Sequence, residues 1–293
     1  MGRDLAAAFA CARRTFAEAD ECLGVALSAL CFEGPADELA RTEHAQPALL
    51  ATSVAVWRVL AETAGLAPRV LAGHSLGEWS ALVVAGALAF GDALRGVRER
   101  GRLMQRAVPV GTGAMAAVMG LDVAALRALC EAAADGEVVT PANLNGAGQT
   151  VVSGHAGAVA RLVRLATERG ARARTLDVSA PFHCPLMAPA ADGVARFLDG
   201  IAVHDPGIPV VTSVAARPVR DRADVTALLV EQVTAPVRWE DTMAALRAFE
   251  PTAALELGPG SVLTGLARRL WPELRCQSVG DVATVERARQ VLA

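Results

Sequence analysis

An α/β fold, with a mostly parallel sheet interrupted by a small inserted domain, is what this sequence predicts on three observations. Short apolar strands alternate with longer helical stretches through most of the chain, the pattern that crossover connections give. Between residues 113 and 179 the order changes to β-α-β-β-α-β, the ferredoxin-like split motif. Ahead of that insert, residues 69–86 read RVLAGHSLGEWSALVVAG, with Ser75 between two glycines where a strand turns into an apolar helix.

The bulk numbers fit a packed core. Of 293 residues, 53% are hydrophobic and 20% charged, which excludes intrinsic disorder. Lys and Arg total 28 against 31 Asp and Glu, a balance that speaks against a general nucleic-acid binder. The six cysteines show no C-x-x-C pair and no metal-ligand spacing, so reduced thiols in a cytoplasmic protein without a metal site are expected. No secretory signal pattern opens the sequence. The most apolar run, ALVVAGALAF, is too short to span a bilayer and reads as a buried helix, so no membrane association is expected.

Taken in order, residues 3–32 carry few breakers and are predicted helical up to Gly34–Pro35. A second helix starts with Pro47 at its first position and stops at Gly65. RVLAG is a short strand, followed by the glycine-flanked serine, the apolar helix and another helix over 92–107. The insert follows: strand GAMAAVMG, helix DVAALRALCEAA, strands EVVTPANLN and QTVVSG, helix AGAVARLVRLATERG and strand ARARTLDVS. Beyond it come a helix near 186–199, strand IPVVTSV, helices over 222–233 and 239–248, strand AALELG and a final helix after Gly258-Pro259-Gly260. The division expected is 1–111 with 180–293 as the large catalytic domain and 112–179 as the small one.

G-x-S-x-G after a strand and before a helix is a nucleophile elbow, as in α/β-hydrolases. A serine hydroxyl needs a base within hydrogen-bond reach and donors for the oxyanion. The N–H of Leu76, immediately after the serine, is one such donor, and the positive end of the helix adds to it. Five histidines could be the base: 44, 74, 155, 183 and 204. His74 is too close along so sharp a turn and reads as structural. His183, in SAPFHCPLM, lies where the insert rejoins the large domain, a favoured place for a cleft. The residues alone leave the choice open between His183 and the other four. An α/β-hydrolase would place its histidine close to the C-terminus and a glycine-rich loop ahead of the serine; His204, the last histidine, is far from the end and no such loop precedes Ser75.

GDALRGVRERGRLMQRA holds five arginines. Wound at about 100° per residue, Leu94, Gly101 and Met104 fall within about 60° of Val97 and mark the buried stripe. Arg95, Arg98, Arg102 and Arg106 lie on the solvated side. Arg100 falls about 60° from Val97 on the other edge of the stripe. A guanidinium there either pairs with a core carboxylate or clamps the carboxylate of a substrate.

Together these residues resemble the malonyl-CoA:acyl carrier protein transacylase family, related to the acyltransferase domains of fatty acid and polyketide synthases. The likeness runs through TEHAQPALLATSVAVW, AGHSLGEWSALVVAG, RGRLMQRAVPVGTGAMAAVMG, NLNGAGQTVVSG, PFHCPLMAPAAD, EQVTAPVRW and LELGPGSVLTGL. It implies malonyl transfer from malonyl-CoA to the phosphopantetheine thiol of an acyl carrier protein, by ping-pong chemistry on a Ser75–His183 dyad, without a cofactor of its own. It further implies that Arg100 pairs with the malonyl carboxylate and that the backbone carbonyl of Gln232 orients the histidine. Phe182 resembles the aromatic that crowds out α-branched acyl groups, and Asn145 and Gln46 match substrate-binding blocks.

One departure belongs with this resemblance. The family opens with a short strand and a PGQGSQ loop whose glutamine N–H completes the oxyanion hole, whereas this sequence starts at MGRDLAAAFA, which aligns just after that loop. The expectation is a missing strand and a missing donor, through a misplaced start or an impaired form. Three alternatives stay open: the same chemistry serving a polyketide synthase or malonate decarboxylase, a thioesterase or hydrolase, and a catalytically weak carrier-binding protein. A monomer is expected, and its carrier would meet a locally basic surface, for which Arg161, Arg164, Arg169, Arg172 and Arg174 are candidates.

Overall fold

The computed structural model describes residues 1–292. The large part of the molecule holds two small sheets among helices. In one, β1 (Leu71–Ala72) pairs in parallel with β6 (Val210–Val211), which pairs antiparallel with β7 (Pro218–Val219). In the other, β8 (Ala253–Leu257) runs parallel to β9 (Arg275–Val279). The long helix Thr42–Ala64 packs against β8 and against the helix Leu76–Val84 that follows β1. The larger apolar cluster of this part buries Trp79, Phe16, Leu50, Leu60 and Leu94 fully, and a second one gathers Val237, Trp239, Met243 and Leu266.

The insert forms a four-stranded antiparallel sheet from β2 (Gly113–Met119), β3 (Val139–Gly146), β4 (Gln149–His155) and β5 (Arg172–Thr175), in the order β3-β4-β2-β5. That order is the one the β-α-β-β-α-β motif produces. Its two helices, Val123–Ala134 and Ala156–Glu168, lay Leu126, Leu129, Val159 and Leu162 on one face of the sheet as a separate core. The sheet touches the large part through β3: Leu144 N–H donates to Val237 O and Val237 N–H donates to Ala142 O.

Four local expectations need correction. Residues 3–32 form three helices, Arg3–Ala8, Ala10–Leu23 and Leu27–Glu33, broken at an extended Phe9 and at the left-handed Gly24 that caps the second. The long helix begins at Thr42, and Pro47 lies inside it. The Arg41 carbonyl takes the N–H groups of both His44 and Ala45, so the first turn closes ahead of the proline, which forfeits only the bond to Glu43. The strand expected over IPVVTSV shrinks to Val210–Val211, because the chain turns at once to bring β7 back. Finally, Val262–Leu270 is not the last element: β9 and the helix Val282–Leu292 follow, in a stretch whose mixed polarity hid the strand RCQSV.

The helix Phe90–Arg106 crosses Thr42–Ala64 at Gly101, where a Cβ would sit 2.7 Å from the Cα of Glu43 and from the Thr42 carbonyl oxygen. Backbone meets backbone there, and the neighbouring Arg100 is carried into the interior beside Gln46. Gly101→Ala should therefore cost about 1–3 kcal/mol through overpacking. Gly77→Ala, whose Cβ would meet open space on a helix, should be neutral or stabilise by up to about 1 kcal/mol. Denaturant midpoints of the two variants check this contrast.

Candidate active site

Ser75 sits between β1 and the helix Leu76–Val84 with φ 52° and ψ −110°. An L-residue adopts such angles only when its surroundings over-determine them. Gly73 provides this: a Cβ on it would lie 1.9 Å from the carbonyl carbon of Gly77, so β1 and the helix start are in contact through bare backbone. The turn leaves Ser75 half-exposed, at the N-terminus of the helix. Leu76 occupies the first position of that helix, where an α-helix leaves its N–H groups without intrahelical acceptors.

His183 is brought to the serine across the molecule. Its Nε2 lies 2.8 Å from Ser75 Oγ, and the residue is 4% exposed with φ 59°. Its Nδ1 lies 2.8 Å from the Gln232 carbonyl oxygen and 3.2 Å from that of Ala235. Carbonyls only accept, so the proton resides on Nδ1 and the Nε2 lone pair is aimed at the serine hydroxyl. Burial first, and the Arg100 cation second, push the imidazole down to about 3, against the opposing pull of the two carbonyls. His183 is a neutral base at rest.

Arg100 is 2% exposed. Its Nη1 donates to Gln46 Oε1 at 2.7 Å, and its Nη2 donates to Ser75 Oγ and to Gln232 Oε1, both at 3.0 Å. None of these acceptors is a carboxylate, and the buried Nε–H has no partner among the described residues. Burial draws the guanidinium down to about 10, with the Glu78 carboxylate pulling the other way, so it stays charged at neutral pH.

The remaining expected residues fall around this triad of groups. Gln46, buried, holds its amide in place by donating to Thr42 Oγ1 at 2.9 Å. Gln232, fully buried, contributes both its carbonyl to His183 and its side chain to Arg100. Asn145, on β3, accepts from His74 Nε2 at 3.1 Å, and His74 packs against Trp239 with ring centroids 5.6 Å apart. Asn145 is thus joined to the elbow through His74 and makes no hydrogen bond to Ser75 or His183. Phe182 is half-buried, wedged between the large core and a small apolar patch of Met115, Ala142 and Val151.

Two residues of the site escaped the sequence reading. Glu78 is fully buried, and its Oε2 accepts from Ser213 N–H at 2.9 Å, Ser213 Oγ–H at 2.7 Å and Gln232 Nε2–H at 3.0 Å. A signal for Glu78 was present, as a lone carboxylate in the apolar helix sequence LGEWSALVV. Ser213 gave none. Among the described residues no group of three or more His, Cys, Asp or Glu could hold a metal ion, and no helix is long and apolar enough to cross a membrane.

A serine raised on a strand-to-helix turn against a neutral histidine places the molecule among α/β proteins built on a nucleophile elbow. Comparison with known proteins is more specific: residues 1–287 match the acyl transferase domain family, and the chain belongs to that family. It is 46% identical to the malonyl CoA-acyl carrier protein transacylase of Bacillus subtilis strain 168, covering 100% of this chain and 92% of that protein. A solved malonyl-CoA:acyl carrier protein transacylase from Xanthomonas oryzae pv. oryzae superposes with a TM-score of 0.97 at 45% identity, over 99% of this chain and 93% of the other. A malonyl-transacylase solved in complex with its type II polyketide synthase acyl carrier protein gives 0.96 at 46% identity, over 98% and 94%.

The lowered imidazole value fixes a pH response. His183 should stay neutral from pH 7 down to 5, so the rate of Ser75 acylation should show no limb near the ordinary histidine value of about 6.5. Stability should respond instead. His183 and His74 are both shifted down by burial, so the unfolded chain binds protons that the folded one refuses. Their stabilisation is complete above the unfolded value and is lost as pH falls below it. Stopped-flow acylation and denaturant melts across this range separate the two effects.

Proposed function

We propose that the protein transfers a malonyl group from malonyl-CoA to the phosphopantetheine thiol of an acyl carrier protein, through a malonyl ester on Ser75. One observation carries this reading: a buried, charged guanidinium lies 3.0 Å from the serine hydroxyl that also contacts a neutral histidine. A cation so close to the nucleophile suits an acyl group that brings its own carboxylate. The names of the relatives point to the same acyl group and the same acceptor.

In the first half-reaction Ser75 Oγ attacks the thioester carbon while His183 Nε2 takes the hydroxyl proton. The Leu76 N–H and the helix end bear on the tetrahedral oxyanion. The C–S bond then breaks, and His183 returns the proton to the departing CoA sulfur. In the second half-reaction the carrier thiol gives its proton to His183 and attacks the ester carbon, and Ser75 Oγ leaves with that proton. Arg100 holds the malonyl carboxylate throughout, the Gln232 carbonyl keeps the imidazole in its tautomer, and Phe182 limits bulk beside the acyl chain. Gln46 contributes to the acyl site through Arg100, and Asn145 through His74.

For the carrier we propose the edge of the small domain, residues 112–179, between the two stretches 1–111 and 180–293 of the catalytic domain. Arg169, Arg172 and Arg174 are exposed there, whereas Arg161 and Arg164 are engaged by Glu137 and Glu168. The protein is proposed to work as a cytoplasmic monomer. A polyketide carrier is the second reading, favoured by the 46% identity to a transacylase that serves one.

Incubated with malonyl-CoA, the protein should gain a malonyl adduct visible by intact-mass spectrometry, and Ser75→Ala should not. Rapid release of free malonate without carrier would point to a hydrolase instead. Arg100→Ala should lower kcat/KM for malonyl-CoA relative to acetyl-CoA by about ten- to a hundredfold, the worth of a charged hydrogen bond; an unchanged ratio refutes the clamp.

A further inference from the structure

We propose that Glu78 is the counter-charge of Arg100, set one amide away so that the guanidinium keeps only neutral partners and stays open to an acyl carboxylate. This rests on the malonyl reading above and gives Glu78 and Gln46 a part in selecting the acyl group.

A cation with 2% exposure needs an anion within range of its field. A carboxylate in direct contact would answer that need, but it would also fill the donors that the acyl group must use. The structure separates the two demands. Every acceptor on the guanidinium is neutral: Gln46 Oε1, Gln232 Oε1 and Ser75 Oγ. A neutral acceptor offers the guanidinium no opposite charge and no matching fork, so an incoming carboxylate, which offers both, displaces it.

The negative charge stands directly behind. Gln232 turns the acceptor end of its amide to Arg100 Nη2 and the donor end to Glu78 Oε2, each at 3.0 Å. Burial pushes the Glu78 carboxyl above its ordinary range, and the three donors that converge on Oε2, together with the Arg100 cation, work against that and favour the ionised form. Glu78 cannot turn to touch the arginine without abandoning all three bonds. With Glu78 ionised the resting pair is neutral overall, and a bound acyl carboxylate leaves one negative charge in excess. That excess keeps the grip on the acyl group from becoming too strong for onward transfer.

Two substitutions that preserve side-chain shape test this, with malonyl-CoA and acetyl-CoA assayed in parallel against a holo acyl carrier protein. Glu78→Gln removes the counter-charge and should lower KM for malonyl-CoA by about three- to tenfold while slowing release to the carrier. Gln46→Glu places a carboxylate directly on Arg100 Nη1 and should lower the malonyl-to-acetyl ratio of kcat/KM by at least about tenfold. A merely structural role would weaken both acyl-CoAs together and leave the ratio where it was, which overturns the inference. Should Glu78→Gln not fold, Gln46→Glu carries the test alone. A wild-type protein that takes acetyl-CoA as readily as malonyl-CoA sinks the malonyl reading itself. A malonyl-selective wild type whose Gln46→Glu variant keeps that selectivity overturns the counter-charge alone.

Discussion

Placing a guanidinium in the interior is the constraint around which this site is built. Withdrawing such an ion from water costs several kcal/mol even after relaxation, and the cost is offset by hydrogen-bond acceptors and a nearby opposite charge. The acceptors for Arg100 come from three separate stretches: Gln46 in the long helix, Ser75 at the elbow, and Gln232 just beyond the helix Arg222–Glu231. The bare crossing at Gly101 lets the arginine helix lie close enough for the first of these. Helix packing, the elbow and the polar interior in this way meet at one buried charge.

Strain is the second recurring feature. Ser75 and His183 both hold positive φ, at 52° and 59°, a conformation that costs a non-glycine residue about 1–3 kcal/mol. Neither could persist on a loose loop. Ser75 is clamped by the contact of Gly73 with Gly77, and His183 lies between buried Pro181 and Cys184. Pro181 in turn presses on Gly113, where a Cβ would come within 2.3 Å of its ring. The first residue of the small-domain sheet therefore braces the segment that presents the histidine. Together with the Leu144–Val237 bond and the His74–Asn145 contact, this ties the four-stranded sheet to the segments that carry Ser75 and His183.

What the sequence could say followed from how local each cause was. The elbow was legible because strand, serine, glycine and apolar helix are contiguous, and the split β-α-β-β-α-β sheet because its pattern is complete within 113–175. The wheel placed Arg100 beside the buried stripe, although it left open whether the partner was a core carboxylate or a ligand. The structure gives a mixed answer, with neutral amides in contact and Glu78 one step away. The residues alone could not choose His183 among five histidines, because the choice depends on chain closure over 108 positions. Pro47 misled because a first turn that shares one carbonyl can close ahead of a proline, and Ser213 was invisible because its role exists only through Glu78.

The carbonyl behind His183 follows from the same constraint as the arginine. In a Ser-His-Asp arrangement a buried carboxylate fixes the imidazole and stabilises its protonated form. Here such a carboxylate would stand close to a buried cation whose Nη2 already reaches the serine at 3.0 Å. It would compete for that cation with the acyl carboxylate proposed to bind there, and would raise the imidazole towards protonation at rest. A backbone carbonyl fixes the tautomer without adding charge, and burial, with Arg100 second, keeps the imidazole neutral. Gln232 satisfies both requirements at once, since its carbonyl orients the base and its amide spaces the cation from Glu78. If Arg100 takes a substrate carboxylate, as proposed, the site can afford none in the second position of a triad.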